Sequence, residues 1–166
     1  MNQDVTTEIS ANEDTPKLGT GLNVLTILTF IGSAYGLYST LNNFLSGKKA
    51  LEDFEKAQDK LAEAPAWAKA LAGPEVHEVM VKSLDNKVPL LIIGLVSIVL
   101  CIYGAIEMRK LKKQGFTLWL IGEVLPYIGM VIFVGGIFFQ TFLVYFLIFP
   151  LIFIILYFFQ RKNLVK

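Results

Sequence analysis

The chain has 166 residues, of which 54% are hydrophobic and only 17% charged, with a mean hydropathy of +0.57 and a formal net charge of +1. Ordinary soluble domains carry about 25% charged residues, so this composition points to a membrane protein, and the near-neutral balance excludes a basic field for nucleic acid. One cysteine, Cys101, excludes an intramolecular disulfide, and one histidine, His77, offers no His/Cys set for zinc.

Residues 1–20 hold four acids and a single base, Lys17, where a secretory leader needs a basic start. They read as a flexible, polar, cytoplasmic tail. Residues 22–45 then run without a charge for 24 positions, enough to cross about 30 Å of hydrocarbon at about 1.5 Å per residue. Thr26, Thr29, Ser33, Gly36, Thr40 and Asn43 share one side of this predicted helix, and Gly32 with Gly36 makes a GxxxG pair. In lipid, apolar contact drives helix association weakly, whereas small residues admit close backbones and hydroxyls bond across the gap. Gly32, Ser33, Gly36 and Thr40 are therefore expected at a helix–helix contact, within the chain or in a homodimer.

Ser46-Gly47 is expected to end that span. Residues 46–87 form the sizeable polar loop, with seven lysines and eight acids between positions 48 and 87. The stretch KKALEDFEKAQDKLAEA reads as an amphipathic helix, and EVHEVMVKSL as a second short one with Val76, Val79 and Met80 aligned. Trp67 suits a membrane–water boundary. The pair is expected to lie over the membrane surface, as a lid on the bundle or as a docking site.

Residues 88–108 give the second span, with Gly94, Ser97, Cys101 and Gly104 as another small-and-polar stripe. Cys101 there is expected to be an inert packing residue. Arg109, Lys110, Lys112 and Lys113 follow in a tight connection. The third span, 116–136, gathers Trp119, Gly122, Glu123, Pro126, Tyr127 and Met130 on one face, which should look into a bundle. Its turn is expected at Gly135-Gly136 or Gln140-Thr141. The fourth span, 140–159, is rich in Phe, Tyr, Leu and Ile, and a basic tail with Arg161 and Lys162 closes the chain.

The expected fold is all-α: four transmembrane helices in an up-down bundle, with a short amphipathic helical loop outside the cytoplasm between the first two. Lys and Arg favour the cytoplasmic side when dense beside span ends. The N-terminal tail, the 109–113 turn and the C-terminal tail share eight such residues, against seven spread over 40 loop positions. That density places both termini in the cytoplasm of a cell-membrane protein. A three-span arrangement, with 116–159 as one crossing plus a re-entrant piece, would set the two basic clusters on opposite sides and is disfavoured.

Glu123 is the residue that raises a chemical question. An ionised acid at the centre of a span costs about 2.5–3.5 kcal/mol, so it is either protonated or paired. Pro126 lacks an N–H and leaves the Gly122 carbonyl, four residues earlier, without its helical donor. Carbonyl, carboxyl and the Tyr127 hydroxyl together form the candidate site: a structural hydrogen-bonding group, a proton or cation site, or the mate of a partner's cation. No nucleophile–base set, metal set or cofactor motif can be assembled. The expected function is a non-enzymatic scaffold or accessory subunit that meets the lipid bilayer and, through its helices or loop 46–87, a protein partner or second copy. The alternative is a small oligomeric proton or cation conduit using Glu123.

Overall fold

The computed structural model describes residues 18–61, 65 and 73–164. The expected tail, apart from its last positions, lies outside the described residues, as does Trp67. The described chain is helical: α1 (Thr20–Leu61), α2 (Pro74–Asp85), α3 (Lys87–Arg109), α4 (Lys113–Phe133) and α5 (Ile137–Gln160), closed by a 3-10 turn at Arg161–Asn163. Among the described residues three helices, α1, α3 and α4, are long and apolar enough to cross a membrane. α5 has 24 residues and ends in the apolar stretch Pro150–Gln160. Ile31, Tyr35, Leu45, Val99, Ile132 and Phe159 point outward, an apolar surface that water would not tolerate and hydrocarbon would.

α3 and α4 form the closest pair, an antiparallel hairpin seamed by glycine. A Cβ on Gly104 would lie 2.7 Å from the Gly115 carbonyl oxygen and 2.8 Å from Trp119 Cα. One on Gly122 would lie 2.9 Å from the Cys101 backbone nitrogen, and one on Gly129 would lie 2.9 Å from the Ile93 side chain. Gly115, Gly122 and Gly129 recur every seventh residue, so the same face returns at each second turn of α4. Direct backbone contact supplies the dispersion that holds helices together where the hydrophobic effect gives little. α1 packs on α3 more loosely, with the Thr40 side chain 2.9 Å from where Gly94 would carry a Cβ.

Two expectations are corrected here. Ser46-Gly47 does not end the first helix, which continues as 42 unbroken residues to Leu61. An isolated glycine costs a helix only about 1 kcal/mol, and the following ALEDFEKAQDKL is dense in strong helix formers. The glycine serves a contact instead: a Cβ on Gly47 would sit 2.9 Å from the Leu84 side chain, so its absence lets α2 approach. At about 1.5 Å per residue α1 is about 63 Å long, roughly twice the hydrocarbon thickness. The amphipathic segment thought to lie along the surface is thus the far half of this rod, not a separate loop helix. The second correction concerns Gly32. It is exposed, and a Cβ there would meet nothing within 4 Å, while one on Gly36 would find only Ile98, at 3.8 Å. Thr26, Thr29 and Ser33 carry the buried side of α1. The GxxxG pair is offset from that side, so within the chain it is not a seam.

The turns follow from backbone chemistry. The α4–α5 turn falls at Gly135-Gly136, where Gly135 adopts φ 91° and its N–H reaches the Met130 and Val131 carbonyls at 3.2 and 3.1 Å. The α3–α4 connection closes the same way, but with a leucine. Leu111 sits at φ 60°, and the Lys112 N–H bonds the Glu107 carbonyl at 3.0 Å. A left-handed leucine costs about 1–2 kcal/mol. Its side chain is buried with Leu22, Met108, Phe116, Trp119, Tyr157 and Leu164, which offsets the strain. This cluster brings the start of α1, the 109–113 turn and the end of α5 to one end of the molecule. At the other end α2 lies mainly against α1 and also touches α3, α4 and α5. Its Val79 packs with Val134, His77 stacks on Phe54, and Asn86 donates to the Phe133 carbonyl at 3.1 Å, capping α4.

Candidate functional site

The α3–α4 seam places Glu123 beside α3, half-buried, at the edge of a cleft of about 280 Å³ between α1, α3, α4 and α5. Thr29, Gly32, Ser33, Ser97 and Cys101 line it together with Glu123, and Leu28, Ile98 and Phe153 form apolar walls. The Cys101 sulfur lies 4.0 Å from Glu123 Oε2 and 3.8 Å from the Trp119 carbonyl, the range of a weak S–H donor. Among the described residues no cation pairs with Glu123.

The carbonyl that Pro126 deprives of its donor is not open. Ser97 Oγ donates to the Gly122 oxygen at 2.6 Å, across the seam from α3. The expectation of a bare carbonyl beside the acid is therefore corrected. The gap in the α4 ladder is filled by the neighbouring helix, the usual remedy for proline in a membrane helix. Pro126 itself faces a different cavity, and Tyr127 packs with the Val79–Val134 cluster. Of the four residues expected at the site, Glu123 alone lines the cleft. Gly122 supplies the close approach behind it. Thr29 also shares a buried 2.7 Å hydrogen bond with Tyr157, whose ring is tilted against Trp119 with centroids 4.3 Å apart.

A second carboxylate went unread in the sequence. Glu107, two residues before the end of α3, is 1% exposed. Lys112 reaches it at 2.6 Å, Lys110 at 3.0 Å and Gln114 at 2.9 Å, so it is covered by its own partners at the edge of the fold. Its own hydrogen bond to the Glu107 carboxylate holds the Lys112 ammonium above the ordinary lysine range. The signal was present: an acid ending an apolar run and followed at once by RKLKK. The residues read as markers of membrane side thus also build the turn. Arg109 bonds Asn23 at 2.8 Å and Thr26 at 3.1 Å, pinning the start of α1, and Arg161 stands 5.6 Å over the Phe116 ring. Lys113 and Lys162 are exposed. Among the described residues no three His, Cys, Asp or Glu side chains are placed to hold a metal.

No protein-family model, no curated protein and no solved structure matches this chain.

Proposed function

We propose that this is a multi-pass cell-membrane protein acting without catalysis, as a scaffold or accessory subunit, and that the Glu123 cleft is where it receives a transmembrane helix of a partner or of a second copy. The observation that carries the reading is the coincidence of that carboxyl group with the outward-facing Gly32 at one lateral cleft. Small residues let a visiting backbone come close, and a polar side chain on the visitor gains a partner that lipid cannot offer. In this reading α5 is the fourth crossing. Both termini and the basic turn lie in the cytoplasm, while α2 and the far half of α1 stand on the opposite side. The shared cluster of Leu22, Leu111 and Leu164 supports that topology, because it sets all three regions at one end.

A photocrosslinking residue at position 32, compared with one at the exposed position 132, tests the proposal in native membranes. Adduct formation at 32 that falls with Glu123→Ala is the expected result. Equal labelling at both positions, unchanged by Glu123→Ala, would sink it. A second reading, an oligomeric proton or cation conduit, is favoured by the hydroxyls of Thr29, Ser33 and Ser97 lining the same cleft. Liposome flux for wild type and Glu123→Gln decides it, since equal flux removes the carboxyl group from the mechanism.

A further inference from the structure

A larger cavity lies at the opposite end, under α2. It measures about 420 Å³ and is bounded by α1, α2, α3 and α4. This is within the span of about 300–1,000 Å³ typical of small-molecule sites. Its wall is hydrocarbon, notably Phe44, Met80, Leu90 and Met130. Its polar lining comes from Thr40, Asn43, Ser83 and Lys87, of which only Lys87 is charged. Lys87 begins α3 and is held 5.2 Å over the Phe44 ring, so a cation is stationed against the apolar space. Its neighbour Lys82 is already paired with Glu78 at 2.7 Å. Gly47 lets Leu84 close over one side. Apolar walls beside a fixed cation match an amphiphile with an anionic head.

We propose that this cavity binds the acyl chain of an anionic amphiphile, with its head group on Lys87 and α2 as the roof. The ligand class is an anionic phospholipid or a free fatty acid, which present the same chemistry to the site. The site does not depend on the Glu123 reading, because it shares no lining residue with that cleft.

The full chain, delipidated in mild detergent, is titrated by native mass spectrometry with phosphatidylglycerol, phosphatidylcholine and oleate. Binding to phosphatidylglycerol about fivefold tighter than to phosphatidylcholine is expected, the equivalent of about 1 kcal/mol for one lysine at a membrane surface. Lys87→Gln should abolish that preference, whereas Lys82→Gln should keep it. Met80→Trp should displace the ligand, with far-UV circular dichroism showing that the variant is folded. Oleate competing at equal strength identifies the fatty acid as the ligand, and its failure to compete identifies the phospholipid. Equal affinity for both phospholipids, or a preference unchanged in Lys87→Gln, would overturn the proposal. A diazirine-bearing phosphatidylglycerol in vesicles gives an independent reading: adducts should concentrate at residues 80, 90 and 130, and an even spread along the outward faces of α1 and α3 would also overturn it.

Discussion

The sharpest test of the architecture is a methyl group added at Gly104. Its carbon would fall 2.5 Å from the Trp119 backbone nitrogen and 2.7 Å from the Gly115 oxygen, where ordinary contact begins at 3.4 Å, a shortfall of about 0.9 Å at the nearer atom. Both neighbours are backbone atoms, so no side chain can rotate away and the helices must part. Overpacking of this kind costs about 1–3 kcal/mol. In a soluble protein the better helix propensity of alanine would return about 1 kcal/mol. In lipid the separated helices stay helical, so that offset is small, and a net loss of about 1–3 kcal/mol is expected. Gly36→Ala is the control. Its new carbon would rest 3.8 Å from Ile98, and the change should stay within about 0.5 kcal/mol. Unfolding in mixed micelles of rising sodium dodecyl sulfate, followed by far-UV circular dichroism and tryptophan fluorescence, reads both variants. Equal stabilities would refute the glycine seam.

Three further outcomes are expected. Ser97→Ala should cost about 1–2 kcal/mol by orphaning the Gly122 carbonyl, and less in a Pro126→Ala background that restores the helical N–H; a double-mutant cycle without coupling would contradict the assignment. Leu111→Gly should be more stable than Leu111→Ala by about 1 kcal/mol, because both lose the buried side chain but only alanine keeps the left-handed strain; chemical denaturation of the two variants checks the order. The Lys112–Glu107 pair raises the lysine, so its contribution is complete below the ordinary lysine value of about 10.4 and disappears as pH climbs through the higher folded value. Thermal midpoints should hold to about pH 10 and fall above it, and Lys112→Gln should flatten that fall; identical alkaline profiles would count against the pair.

The apolar runs were legible because hydrocarbon imposes length and composition directly on the chain. Residues 88–108 were read to within one residue of α3 at either end. The reading failed where a local rule met a tertiary contact. Ser46-Gly47 resembles a breaker, yet Leu84 needs the space that the glycine leaves. Gly32 and Gly36 resemble a seam, while Gly115 and Gly129, which build one, stand seven residues from Gly122 and match no short motif. Glu107 was hidden by the lysines beside it, which sequence reasoning assigns to the membrane surface and the fold aims back at the acid. Pro126 was correctly seen to free a carbonyl, but nothing local to α4 could reveal Ser97 as the replacement donor.

The unbroken length of α1 has a mechanical consequence. Asn23, tied to Arg109 at one end of the molecule, and Glu55, 3.0 Å from His77 at the other, belong to a single hydrogen-bonded rod. They are separated by about 48 Å along its axis. Its softest joint, Ser46-Gly47, is braced from outside by Leu84. A push at the α2 end of the rod is therefore delivered along its axis to the Arg109–Asn23 anchorage at the opposite end.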